Sequence, residues 1–170
     1  MRAAYPAGRH ISNLYLDRRA AAEALETSQI KRYTVPLNGK DVAGEVLFDE
    51  FAELPTIDYA RDAGFDYGTA YAAGGRKDRP DGFYNQLLRF DLQGHQVRHW
   101  FEDRCYRGEP VFVPRPGGAD RLKGVIVSVV LDGQGDRSFL LVLDAQTFEE
   151  TGRAFAPHVI PFGFHGEFKS

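Results

Sequence analysis

The segment Leu87-Leu88-Arg89-Phe90-Asp91-Leu92-Gln93 recurs, altered but recognisable, as Leu140-Leu141-Val142-Leu143-Asp144-Ala145-Gln146, 53 residues further on. Each copy follows a strand-like stretch and a turn, and each leads into another strand (Gln96–Phe101 and Glu149–Ala156). A fainter copy begins near Tyr33, with Leu37-Asn38-Gly39 in the place of Leu92-Gln93-Gly94. Strand repeats of roughly 40 to 50-odd residues mark the blades of β-propellers. A four-stranded blade cannot bury both of its faces alone and must stack on its neighbours. The number of strands suits about three blades, fewer than the four or so needed to close a ring.

The punctuation agrees. Eighteen Gly and nine Pro argue against a helical bundle and for short elements joined by turns. Predicted strands are Ile30–Leu37, Glu45–Asp49, Thr69–Ala72, Tyr84–Leu92, Gln96–Phe101, Val111–Pro114, Gly124–Leu131, Ser138–Leu143 and Glu149–Ala156. The apolar runs Val125–Leu131 and Phe139–Leu143 suit strands buried on both faces. One helix is readable, Arg18–Glu26, with Asp17 able to cap it. The expectation is an all-β partial propeller with one short N-terminal helix, a single unit over residues 1–170 with no internal boundary.

Several classes of function are disfavoured. A net charge of −3 provides no basic field to recruit nucleic acid. A single cysteine, Cys105, rules out an internal disulfide or a Cys-rich zinc site. There is no apolar run of the roughly 18 residues a spanning helix needs. The N-terminus lacks a signal-peptide core, so a cytoplasmic location follows by default.

Polar residues share the repeat. Glu53, Glu109 and His165 are spaced by 56 and 56, each beside Pro or Gly: Glu53-Leu54-Pro55, Glu109-Pro110, Phe164-His165-Gly166. If each starts the innermost strand of a blade, two carboxylates and an imidazole converge on one axis, as a metal or acid–base site requires. The alternative is coincidence among 24 acidic residues and five histidines. His165 lies among Phe162, Phe164 and Phe168, which implies a dry setting, and Gly163 and Gly166 leave room beside it. A metal ligand and a core histidine bonded to a carbonyl both fit that motif. His95 and His99, if on one strand, stand roughly 13 Å apart, too far to share an ion. His10 and His158 read as uninvolved or supporting. Cys105 lies between Arg104 and Arg107, which could lower its pKa, but in a loop with no paired histidine it reads as structural. No Gly-x-Ser-x-Gly elbow or activated serine supports a hydrolase.

From about Glu53 onward the chain resembles the C-terminal end of the carotenoid cleavage oxygenases. The family includes apocarotenoid oxygenases, lignostilbene dioxygenases and the retinal pigment epithelium isomerase. The resemblance rests on Gly108-Glu109-Pro110-Val111-Phe112-Val113-Pro114-Arg115, on Gly124–Asp132, on Leu141-Val142-Leu143-Asp144-Ala145, and on Pro157-His158-Val159-Ile160-Pro161-Phe162-Gly163-Phe164-His165-Gly166. It implies a seven-bladed propeller with a non-haem Fe(II) held by four His and oriented by three Glu. The implied reaction takes O₂ and splits a conjugated double bond of an apolar polyene or stilbene into two carbonyl products. His165 matches the last of the four ligands, Glu109 the carboxylate that partners it, and Glu53, in Glu53-Leu54-Pro55, a further orienting carboxylate.

The motifs of the other three ligands are absent; His10, His95, His99 and His158 do not match them. The resemblance therefore implies a C-terminal fragment, inactive alone and needing complementary N-terminal blades. It leaves peripheral membrane contact open to the complete enzyme. The second expectation is a non-catalytic β-module, a partial propeller that binds a partner.

Overall fold

The computed structural model describes residues 2–4, 28–39, 41–78, 83–117, 123–163 and 165–169. His10 and the helix expected at 18–26 lie outside them. The described strands form three antiparallel sheets in chain order. The first blade holds β1 (Arg2–Ala4), β2 (Gln29–Thr34) and β3 (Ala43–Phe48). In the second, β4 (Ala52–Thr56), β5 (Thr69–Gly74), β6 (Gln86–Asp91) and β7 (Gln96–Trp100) lie side by side, with a single helical turn, α1 (Tyr59–Asp62), between β4 and β5. The third contains β8 (Cys105–Arg107), β9 (Val111–Pro114), β10 (Gly124–Asp132), β11 (Arg137–Asp144) and β12 (Glu150–Phe155). Its order is β12-β11-β10, and both β8 and β9 pair with the remaining edge of β10.

The alternation of side chains along a strand is what stacks these sheets. On β6, Leu88 and Phe90 join a core with Ile30 and Phe48 of the first blade. Leu87 joins a second core, with Ile126, Val130, Phe139 and Leu141 of the third. Arg89, on the same side as Leu87, donates from Nε to the Ala145 carbonyl of the third blade (3.1 Å). The middle blade is thus buried on both faces. The third is not: along β10 and β11, Ile126, Val130, Phe139 and Leu141 are buried, whereas Val129 and Leu140 are 39% and 40% exposed. This corrects the expectation for the two apolar runs, because no described blade lies against their outer side.

The internal repeat is the third strand of a blade and the turn into its outermost strand. Asp91 Oδ1 accepts the Gln93 and Gly94 N–H groups, and Asp144 Oδ1 accepts those of Gln146 and Thr147. These backbone donors hold both carboxyls below the usual carboxylate range. Asp132, at the β10–β11 turn, accepts from Gln134 and Gly135 in the same way. Four residues after each Asp the backbone turns left-handed, at His95, Asp136 and Phe148. The fainter copy joins the middle and last strands of the first blade, β2 and β3, through a different turn that closes on Gly39 at φ 76°.

Three strands were not foreseen, β1, β4 and β8. β1 and β8 are three residues long, and β4 carries Glu53 and Pro55 in five residues. None offers an apolar period long enough to read.

Candidate metal centre

Glu109 sits where the leading edge of the third blade breaks. Arg107 pairs with Val130 and Val111 with Val127, so four steps along this edge face three along β10. One extra residue is therefore inserted, at Glu109-Pro110, as in a β-bulge. Pro110 has no N–H to contribute to the ladder. The flanks remain held: the Gly108 N–H donates to the Val129 carbonyl (2.9 Å), and Ser128 Oγ donates to the Gly108 carbonyl (3.1 Å). The slip changes parity. Before it, Cys105 packs into the core shared with the second blade; after it, Phe112 does, stacked 6.2 Å from Tyr71. An unbroken strand would send Glu109 to the same face as Cys105 and Arg107. The bulge releases it toward the chain's last residues.

There the Glu109 Oε2 accepts the Gly166 N–H at 2.8 Å and lies 3.3 Å from His165 Nδ1. A carboxylate oxygen only accepts, so this contact puts the ring proton on Nδ1 and the metal-binding lone pair on Nε2. The Glu109 side chain is 15% exposed, the imidazole 62%. The enclosed setting expected for His165 is therefore corrected, because aromatic neighbours in sequence do not cover the ring. Phe162 and Phe168 are themselves about half exposed.

The tail that carries His165 is tied at two earlier points. Ser138, fully buried at the start of β11, uses its hydroxyl twice: Oγ donates to the Ile160 carbonyl (3.2 Å) and accepts the Ile160 N–H (2.9 Å). Further on, the Phe162 ring stacks on Phe83 at 4.8 Å with Tyr106 edge-on to both. Sequence reasoning took Phe162 only as cover for His165 and gave Ser138, Phe83 and Tyr106 no part in holding the tail. A serine inside an apolar strand is a usable signal, since a buried hydroxyl needs a partner.

Glu53 also lies at a register slip. Ala52 and Glu53 pair with Gly74 and Ala73, whereas Thr56 pairs with Tyr71, so three steps face two. Leu54 absorbs the slip at φ 51°, a left-handed conformation that costs a non-glycine residue about 1–2 kcal/mol. Burial pushes the Glu53 carboxyl up, opposed by a hydrogen bond to the Leu54 backbone. Among the described residues no three of His, Cys, Asp and Glu gather to hold a metal. The structure thus joins Glu109 to His165 and leaves Glu53 in its own blade.

The other candidates lie apart. His99 Nε2 is 3.4 Å from Glu50 Oε1, and His95 is a turn residue whose ring lies 6.2 Å from Phe48. Cys105 is a strand residue, 1% exposed, and burial pushes its thiol up to about 11, with Glu102 adding to the effect. Arg107 and Arg153 oppose the rise without prevailing, in keeping with the structural reading of this cysteine. A cavity of about 240 Å³ beside α1 is lined by Asp58, Asp62, Tyr71, Arg89 and Phe112 and by none of the predicted site residues.

The family model for the retinal pigment epithelial membrane protein, RPE65, matches residues 3–170. The chain belongs to the RPE65 family, that of the carotenoid cleavage oxygenases. It is 44% identical over 117 residues to a mitochondrial carotenoid-cleaving dioxygenase of Mustela putorius furo, matching 68% of this chain and 21% of the relative. It is 37% identical over 150 residues to the chloroplastic carotenoid cleavage dioxygenase 8 homolog A of Oryza sativa subsp. japonica, matching 85% of this chain and 26% of the relative. Among solved structures, an apocarotenoid oxygenase variant of Synechocystis superposes with a TM-score of 0.77 at 26% identity, over 84% of this chain and 30% of that one. A cobalt-substituted form of the Synechocystis enzyme gives 0.76 at 25%, over 83% and 30%.

The chain therefore spans about a quarter of the length of these carotenoid cleavage oxygenase relatives. Its fold is a partial β-propeller that superposes on part of the solved Synechocystis structures. Among the described residues no helix is long and apolar enough to cross a membrane. The organelle names of the relatives leave the cytoplasmic expectation without support.

Proposed function

We propose that this chain is the C-terminal part of a non-haem Fe(II) dioxygenase that cleaves a conjugated double bond of a carotenoid, apocarotenoid or stilbene into two carbonyl products. The observation that carries the reading is the Glu109 carboxylate bridging His165 Nδ1 and the Gly166 N–H. The donor set fits one corner of such a centre: an imidazole with a carboxylate at Nδ1, the arrangement that fixes the tautomer of a ligating histidine. His165 is the ligand, Glu109 orients it, and Glu53 orients a ligand contributed by another part of the propeller. Bound Fe(II) would supply the activation of O₂. The chain's own part is to hold one nitrogen in place and to close one side of the propeller around an apolar substrate.

One imidazole does not hold iron as four do, so the chain alone is expected to be inactive. The test measures iron content and polyene cleavage for the chain alone and for the chain mixed with the N-terminal part of a full-length relative. Iron and cleavage in the mixture only, both lost on His165→Ala, support the reading. A His165→Ala mixture that keeps its iron refutes the ligand assignment. Absence of iron in both preparations favours a non-catalytic β-module.

A further inference from the structure

We propose that Ser138 is a positioning residue for His165, and that the tail from Ile160 to Gly166 docks as one unit whose hold begins at this serine and passes through Phe162. The inference rests on the reading of His165 as a metal ligand, and concerns how the fold keeps that ligand in place.

The last strand ends at Phe155, and the Ala156 N–H still bonds the Ser138 carbonyl (2.8 Å). His165 follows nine residues later, and the described residues between, 157–163, form no helix or strand. A tether of that length lets the imidazole roam over more than 20 Å. Three fastenings remove the freedom. The Ser138 hydroxyl, acting as donor and acceptor at once, fixes both backbone groups of Ile160. Pro161 follows with its φ locked, and Phe162 stacks on Phe83 almost parallel, at 3°. The Gly166 N–H then reaches Glu109. Ser138 stands on β11, and Glu109 on the opposite edge of β10, so the tail is strapped across the third blade. The serine and the carboxylate are the two ends of that strap.

The serine's hydroxyl is chemically specific to this task. It stands opposite Leu131 on the outer face of β11, the side of half-exposed Leu140, and is nevertheless fully buried. A buried hydroxyl is retained only with partners, and both of its partners belong to Ile160.

Two readouts on the intact 170-residue chain test the proposal without any metal. The first is native-state hydrogen exchange at the Ile160, Gly166 and Leu141 amides. The second is the ring ¹⁵N signals of His165 at about pH 8.5, where an ordinary imidazole is neutral, which report the tautomer. Ser138→Ala is expected to lower protection at Ile160 and Gly166 together by about tenfold, the worth of one to two ordinary hydrogen bonds. It is expected to shift the ring from the Nδ1–H form toward a mixture, while Leu141 keeps its protection. Phe162→Ala, at a half-exposed position that leaves the core untouched, is expected to weaken Gly166 and shift the ring in the same sense, and it serves if Ser138→Ala fails to fold. Loss at Ile160 with Gly166 and the ring unchanged overturns the proposal, as does a uniform loss reaching Leu141 with the tautomer kept. Neither result depends on iron, so failure here is distinct from failure of the ligand assignment, which the His165→Ala mixture decides.

Discussion

Raising the pH should loosen the joint between the second and third blades, and the structure indicates by how much. Tyr71, 2% exposed, donates its hydroxyl to the Ala145 carbonyl across the joint at 2.9 Å, and its ring stacks between Phe112 and Phe148. Burial pushes the phenol up to about 12 from an ordinary value of 10, against the opposing pull of nearby Arg89. Folding therefore favours the neutral phenol. The stabilisation is complete below pH 10, where folded and unfolded chains are both protonated. It is lost as the pH rises from about 10 to 12, because the unfolded chain ionises first. Two pH units correspond to about 3 kcal/mol. The assay is urea unfolding at pH 7, 9 and 11 for the wild type and Tyr71→Phe. At neutral pH the variant should lose only about 1 kcal/mol, since Arg89 still satisfies the Ala145 carbonyl. At pH 11 the gap should narrow or reverse, because phenylalanine cannot ionise. Parallel curves, with the same deficit at every pH, would refute the assignment of the alkaline limb to this hydroxyl.

The same burial predicts that Cys105 resists iodoacetamide in the native chain at pH 8 and reacts once urea unfolds it; mass spectrometry reads the difference. Leu141→Ala, at a fully buried position of the joint, should cost about 2–5 kcal/mol in urea unfolding. In the chain reconstituted with N-terminal blades, Glu109→Ala should weaken iron retention about 10- to 100-fold while the protein stays folded, as chelator competition would show. Deleting Pro110 removes the register slip, so either Cys105 and Arg107 or Phe112 must leave the joint. The expected cost is about 3–5 kcal/mol, and unchanged stability would show that the bulge does not set the parity.

What could be read in advance follows from what side chains encode locally. Leu87–Gln93 and Leu140–Gln146 were legible as a repeat because each ends in an Asp that organises its own turn, a device complete within a few residues. The 56-residue spacing of Glu109 and His165 is a different signal, long-range rather than local: one blade lies between them, and they meet. β8 was not legible, since its three residues are a strand only because β10 offers an edge. Cys105 was read correctly as structural but placed in a loop; it is a strand residue, and burial with Glu102 and Asp132 outweighs Arg107. The exposure of His165 depends on what lies over the tail, which none of its aromatic neighbours determines.

The two glutamates also show why the spacing exists at all. In a stacked blade each strand's period of two is already committed, one face to the preceding sheet and one to the next, as β6 shows with Leu87 and Leu88. A polar side chain in that alternation would be driven into a core. The fold makes an opening by inserting one residue beside a proline on the leading edge, at Leu54-Pro55 and at Glu109-Pro110. The slip gives up a ladder bond, and at Leu54 it also requires a left-handed backbone. In exchange it aims a carboxylate where no regular strand could. His165 reaches Glu109 from a tail that is not a strand, and that tail is fastened instead by the Ser138 hydroxyl, the Phe162 stack and the Gly166 N–H.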